Sequence, residues 1–332
     1  MKLLKWLAVI LLVFTVVYFL GPRPSTPKYT TELPTIQASG PALDEYVARQ
    51  EARFKIKPDN EARILWANDS SKAVTEYAVV YLHGFSASQE EGDPVHFDFA
   101  QKFGCNLYLS RLDAHGIDTS EQLVNFTADG VWQTAKEAFA IGKQLGKKVI
   151  LLSTSTGGTL ALKLAAEYPE IAGLILLSPN IEINDPNAWL LNNHWGLQIA
   201  RLVKGRYNVV ADTTATYAQY WNNRYRMEAT VQLEELLEST MKASTFHKVT
   251  QPTLLLYYFK DEDHQDEVVK VSAMKRMFNQ ISTPAALKRQ VPIPNAGDHV
   301  LGSYVKSKDI ATVQAECEKF AMEVLKMKEA NN

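Results

Sequence analysis

Lys148-Val149-Ile150-Leu151-Leu152-Ser153-Thr154-Ser155-Thr156-Gly157-Gly158 runs from an apolar, strand-like stretch into a serine flanked by small residues, and a helical pattern follows at once. So tight a turn between strand and helix needs small residues two before and two after its apex. Ser153 and Gly157 hold those positions. Such a turn lifts the Ser155 hydroxyl clear of a sheet and aims the first amides of the next helix at any negative charge forming beside it. The stretch therefore predicts a nucleophilic serine at the end of a parallel strand. The residue two before the nucleophile is usually glycine. Ser153 is small enough for the turn, but its Cβ is expected to add strain where the chain is already strained.

Outward from this elbow, apolar runs alternate with amphipathic stretches, the mark of parallel βαβ units. Tyr77-Ala78-Val79-Val80-Tyr81-Leu82 reads as a buried strand ending at His83-Gly84-Phe85. Residues 106–110 form a second, followed by Arg111-Leu112-Asp113-Ala114-His115-Gly116. A helix starting at Asp129 places Val131, Ala135, Ala138 and Leu145 on one face. The helix after the elbow runs through Ala161, Leu164 and Ala165 to Pro169, and a strand over 171–177 stops at Ser178-Pro179. From Asn180 to about Val249 the rhythm fails. That stretch holds Trp189, Trp195, Tyr217 and Trp221 at helical spacing with no strands, and reads as a helical cap over about 180–250. Strands return at 253–259 and 287–293, and a last helix spans about 308–326. No internal repeat is present.

A serine hydroxyl is a weak nucleophile near neutral pH and needs a positioned imidazole to take its proton. The imidazole in turn needs a carboxylate to fix its tautomer and stabilise its charged form. His299, in Pro294-Asn295-Ala296-Gly297-Asp298-His299-Val300, follows the last strand on a loop and is the candidate general base. Lys260-Asp261-Glu262-Asp263-His264-Gln265-Asp266-Glu267-Val268-Val269 offers five carboxylates for the acid. Asp266 stands directly before a helical run through Ala273, Met274 and Met277, and that register favours it; Asp261 lies closest to the strand end and is the alternative. The remaining charges read as a solvated loop, and nothing there has calcium-loop spacing, so no metal is expected. An oxyanion needs two backbone donors. The candidates are the amides of Thr156, directly after the nucleophile, and of Phe85, at the end of the first strand.

The chain has 332 residues and 46% apolar composition, enough for a large core on one sheet. A net charge of −2 leaves no basic footprint and excludes nucleic acid as a partner. Cys105 and Cys317 are too few for a disulfide framework and read as small buried hydrophobes. The first 24 residues are a different material. Lys2 and Lys5 precede Trp6 to Leu20, fifteen residues interrupted only by Thr15, before Gly21-Pro22-Arg23-Pro24. Fifteen helical residues reach roughly 22 Å, and counting from Leu3 with Lys5 snorkelling brings the span closer to a bilayer core. No small-residue cleavage site follows, which favours an uncleaved signal anchor over a cleaved signal peptide. The flanking lysines place the tail in the cytoplasm and the bulk of the chain outside it, in the periplasm for a two-membrane cell. Residues 25–41 are proline-rich and read as a tether to a folded unit at 42–332.

Together these residues resemble the α/β-hydrolase superfamily, particularly its carboxylesterase and lysophospholipase-like (monoglyceride lipase-like) branch, over roughly residues 44–325. The marks are His83-Gly84-Phe85, Ala114-His115-Gly116, the elbow at Ser155, the loop of Asp266 and His299. The resemblance implies an α/β fold with a mostly parallel eight-stranded sheet, helices on both faces and a helical cap after the sixth strand. It implies the chain order nucleophile, acid, base, hence catalytic Ser155, Asp266 and His299 with an oxyanion hole at Phe85 and Thr156. It further implies hydrolysis of a small-molecule or lipid ester through an acyl-enzyme, without cofactor or metal. Peptidase, thioesterase and acyltransferase activities share the scaffold and stay open, as does a tethered binding protein that has lost catalysis.

Overall fold

The computed structural model describes residues 2–330. An apolar helix α1 (Lys2–Phe19) precedes α2 (Pro41–Glu51), β1 (Arg63–Leu65), β2 (Thr75–Leu82), α3 (Val95–Lys102), β3 (Asn106–Leu109), α4 (Ala128–Leu145), β4 (Gly146–Thr154), α5 (Thr156–Glu167) and β5 (Gly173–Leu177). The cap follows, with α6 (Gly196–Lys204), β6 (Tyr207–Val209), α7 (Ala215–Tyr220), β7 (Arg224–Arg226), α8 (Met227–Thr240) and α9 (Ala243–Phe246). The chain then returns through β8 (Thr253–Tyr257), a small ribbon of β9 (Phe259–Asp261) and β10 (His264–Gln265), α10 (Val271–Gln280), β11 (Lys288–Pro292) and α11 (Ile310–Glu323).

Seven strands form one sheet in the order β1-β3-β2-β4-β5-β8-β11. All neighbours pair in parallel except the antiparallel edge strand β1. Alternate residues of the central strands feed two cores. Ala78, Val80 and Leu82 of β2 and Val149 and Leu151 of β4 join the larger core, which α4, α5, α8 and α10 cover. Val79, Tyr81, Ile150 and Leu152 join the other, which α3 and α11 cover. A strand buried on both faces reads as a continuous apolar run, and that is why these strands were plain in the sequence.

The sheet has seven strands rather than the eight expected. The segment ahead of β1 is the helix α2, whose Leu43 and Val47, one turn apart, both enter the core. The cap consequently follows the fifth sheet strand in chain order. It also holds a ribbon that was not expected: β6 and β7 pair antiparallel in register Tyr207–Arg226 to Val209–Arg224. Tyr225 points inward between Arg224 and Arg226, and the Arg224 guanidinium lies 3.3 Å from the Tyr207 ring centre. Three-residue strands are too short to carry a readable period.

The proline-rich segment has no regular structure over residues 22–39, yet it is strapped to the domain. Asp129 accepts from the Lys28 and Tyr29 amides, the buried Trp132 indole donates to the Thr30 carbonyl at 2.8 Å, and Tyr168 donates to the Thr31 carbonyl at 2.6 Å. Helix α1 is long and apolar enough to cross a membrane and is exposed along its length. Its C-terminal end rests on the cap. The Trp195 indole donates to the Val17 carbonyl at 3.0 Å, its amide to Pro22 at 2.9 Å, and His194 Nδ1 to Gly21 at 2.6 Å.

Candidate active site

Ser155 stands at the junction of β4 and α5 with φ 52° and ψ −118°, a left-handed backbone that L-residues seldom adopt. The surrounding structure enforces it. The Ser155 amide donates to Leu177 on β5, and its carbonyl accepts from Gly158, Thr159 and Asn180. Gly157 is demanded by close approach: a Cβ there would lie 1.9 Å from the Leu82 carbonyl oxygen. Ser153 departs from expectation. It is buried inside β4, it is not among the positive-φ residues, and its hydroxyl lies 3.4 Å from the Ile175 carbonyl. The strain of the elbow falls on Ser155 itself, so the Ser153 Cβ adds none.

Asp266 and His299 meet behind this turn. His299 Nδ1–H donates to Asp266 Oδ2 at 2.6 Å, while Asp266 Oδ1 accepts from the Val268 and Val269 amides at 2.9 and 3.0 Å. Both side chains are buried. The two amides explain why the Asp-Glu-Val-Val register matters: the turn leading to α10 holds one carboxylate oxygen and leaves the other for the imidazole. Among the described residues His299 Nε2 is buried with no hydrogen-bond partner, and it lines the same cavity as Ser155. Burial alone would lower the His299 imidazole, but the adjacent Asp266 carboxylate outweighs it and the net shift is upward. The alternative acid, Asp261, is exposed on β9 and spends its carboxylate on the amide and ring of His264 within its own turn. Among the described residues no cluster has the makings of a metal site.

The loop after β2 is gripped at successive peptides. His83 Nδ1–H donates to the Gly84 carbonyl at 2.9 Å, and its Nε2 accepts from the Leu112 amide. Because C=O and N–H of one planar trans peptide point opposite ways, the Gly84 carbonyl bond turns the Phe85 N–H to the other side. His115 Nε2 accepts from the Ser86 amide at 3.0 Å and its Nδ1–H donates to Asp113. Burial lowers His83 to about 4 and holds His115 well below the usual imidazole value, so both rings stay neutral and each offers one acceptor and one donor. In the sequence these two histidines marked turns; the structure makes them the clamps of the loop. Among the described residues, neither the Phe85 nor the Thr156 amide has a protein acceptor. The cap ties into the same loop, since the Asn222 amide donates to the Ser86 carbonyl at 2.7 Å.

Ser155, His299 and Phe85 line a cavity of about 650 Å³ between sheet and cap. Its cap wall is largely apolar, with Leu190, Leu191, Ile199 and Leu233, and Lys204 and Asp185 are among its few charged members. Sequence reasoning missed Glu91, a buried carboxylate that accepts from the Gly84 amide. Within Gln89-Glu90-Glu91-Gly92 it looks like any solvated loop charge, and only its distance in the fold from water sets it apart.

The sequence profile of the family described as serine aminopeptidase, S33, matches residues 75–289, and the chain belongs to that family. A thermostable monoacylglycerol lipase of Bacillus sp. (strain H-257) is 29% identical over 105 residues, which is 32% of this chain and 41% of that lipase. Among solved structures, a metagenome-derived lipolytic enzyme of the LipS and LipT pair superposes with TM-score 0.63 at 16% identity, over 80% of this chain and 98% of that one. The monoacylglycerol lipase of Paleococcus ferrophilus superposes with TM-score 0.56 at 14% identity, over 79% and 98%. At such identities the likeness is one of fold. The chain is a serine hydrolase-type enzyme on the α/β-hydrolase fold.

Proposed function

We propose that this serine hydrolase cleaves carboxylic esters, with lipid or lysolipid-like acyl esters as the favoured class, through Ser155, His299 and Asp266. The observation that carries the reading is the His299–Asp266 pair, 2.6 Å apart, opening with Ser155 onto one apolar cavity. His299, held in the Nδ1–H tautomer by Asp266, takes the Ser155 proton as the hydroxyl attacks the ester carbonyl. The Phe85 and Thr156 amides hold the oxyanion. His299 then protonates the leaving alcohol, and the acyl-enzyme is released when the same imidazole activates water. The lipid preference rests on two features. The cavity wall is apolar, and the rim of the cap that forms it touches the end of α1, so substrate would pass from the bilayer surface into the pocket. The exposed Leu202 and Val203 of α6 extend that apolar rim. The monoacylglycerol lipase from Bacillus sp. (strain H-257) is a relative whose named substrate is of this kind.

The test is covalent labelling with a fluorophosphonate followed by mass spectrometry. Wild type is expected to label at Ser155; Ser155→Ala and His299→Ala are expected to abolish labelling. Asp266→Asn, which leaves the geometry but favours the wrong tautomer, is expected to lower ester turnover by about 10⁴-fold. Loss on Asp261→Asn with Asp266→Asn intact would reassign the acid. Parallel turnover of ester, thioester and amide versions of one acyl group defines the class, and faster amide cleavage would move the reading to a peptidase.

A further inference from the structure

Gly84 is held from a side that the triad does not use. Its amide donates to the carboxylate of Glu91, which is 3% exposed and sits on the short turn Gln89–Gly92. A Cβ on Gly84 would stand 2.8 Å from both Glu91 oxygens and 2.9 Å from the Ser155 Cβ. Carboxylate and nucleophile therefore border the same point on the oxyanion loop. Trp221 of the cap and, on the loop after β11, Asp298 and His299 line the same cavity as Ser155 and act on this carboxylate electrostatically or by hydrogen bonding. Tyr81 of β2 and Tyr217 of α7 are the other titratable groups within its field. A buried carboxylate in such a place is costly unless it is used.

We propose that Glu91 is a positioning residue of the active site, which fixes the oxyanion loop against Ser155 through the Gly84 amide and sustains the His299 imidazolium formed during acyl transfer. Two consecutive peptides are then locked. Glu91 holds the N–H of Gly84, and His83 holds its carbonyl, leaving the Phe85 amide directed at the developing oxyanion. The charge acts separately. His299 becomes cationic as it takes the Ser155 proton, and an anion nearby lowers the energy of that state. Burial pushes the Glu91 carboxyl up to about 7, so the anion is present above neutrality, where the imidazole must be neutral to act as base. Asp266 already spends both oxygens on three donors, so Glu91 is a second and independent source of negative charge.

This inference rests on the triad proposed above, and the experiment separates the two. Glu91→Gln keeps an oxygen for the Gly84 amide and removes the charge; Glu91→Ala removes both. The pH profile of kcat/KM on a short soluble ester, KM and kcat separately, and fluorophosphonate labelling are measured for each. Glu91→Gln is expected to move the acidic limb down by about half to one pH unit, because losing a nearby anion lowers the His299 imidazole. It is also expected to reduce kcat several-fold with KM unchanged. Glu91→Ala is expected to lose about a further 10-fold in labelling rate through a slackened oxyanion loop. Wild-type profile and kcat in Glu91→Gln would overturn the inference while labelling at Ser155 upheld the triad. Absence of labelling in folded wild type would overturn both. Should Glu91→Ala fail to fold, the limb shift in Glu91→Gln decides.

Discussion

Gly157 and Ser153 flank the nucleophile with opposite tolerances, and single substitutions should expose the difference. A methyl group at Gly157 meets the Leu82 carbonyl of the central strand β2, a rigid backbone atom, so α5 must lift away from the sheet. Gly157→Ala is expected to cost about 2 kcal/mol or more and to abolish fluorophosphonate labelling, as read by denaturant unfolding and mass spectrometry. Ser153→Gly should behave differently. Ser153 is not left-handed, so glycine relieves no strain and only adds freedom to the unfolded chain. Its expected effect is a loss of about 1 kcal/mol with no gain in kcat. An increase in kcat would mean that the serine strains the elbow after all. The Ser153 position illustrates how far one residue can be read from sequence: its smallness was legible, but its backbone angle was not, because the left-handed residue of the turn is fixed by hydrogen bonds from β5 and the segment after it.

At the scale of elements, α8 carries a testable cost of its own. Glu234 is buried on this helix, and among the described residues its Oε2 has no hydrogen-bond partner. Burial pushes its carboxyl up to about 7, with Glu238 and Glu182 adding to the shift. The folded value lies above the unfolded one, so the group's contribution to stability is complete below about 4.5 and is lost as pH rises through about 7. Glu234→Gln removes this titration and is expected to gain about 1–2 kcal/mol at pH 8 and little at pH 5, measured by denaturant unfolding at both. An equal gain at the two pH values would exclude ionisation as the cause. Elements buried on both faces, β2, β4, β5 and β8, declared themselves as apolar runs, and α4, α10 and α11 as apolar periods. The candidate site residues could be placed from the strand rhythm, since Ser155 follows β4, Asp266 follows β8 by way of the β9–β10 ribbon, and His299 follows β11. What escaped depended on partners distant in the chain. Helix α2 buries only Leu43 and Val47, too few to mark a period, and the three-residue strands of the β6–β7 ribbon are too short to carry one. The charge of Glu91 takes its meaning from Gly84 and Trp221, which no local window contains together.

For the whole molecule the question is how the apolar helix α1, the strap and the cap act on one another. Helix α1 offers an almost wholly apolar surface beyond Lys5, and its end is fixed to the cap through Trp195 and His194, beside the wall of the cavity. The strap that follows is bonded to α4, where it covers Trp132 and supplies the Thr30 hydroxyl and Glu32 carbonyl to Lys136. The two connections predict separable consequences. Removing residues 2–21 takes away the apolar helix but leaves the strap. That truncation is expected to lose co-sedimentation with lipid vesicles and turnover of bilayer-embedded esters, while thermal stability and turnover of a short soluble ester hold. Removing residues 2–39 also uncovers Trp132 and takes away the carbonyl partners of Lys136 and Tyr168, which should cost about 2–3 kcal/mol more and lower Tm by several degrees. Water can solvate Lys136 once it is uncovered, so the loss stays moderate rather than unfolding the domain. Equal stability of the two truncations would show the strap to be a loose tether. Equal activity of the shorter truncation on vesicle-borne and soluble esters would sever the membrane from substrate choice. If the charge of Lys2 and Lys5 holds that end of α1 in the cytoplasm, a C-terminal reporter that works only outside it should be active on the intact chain. Activity of a cytoplasm-only reporter would invert the orientation and turn the cavity mouth toward the inner leaflet.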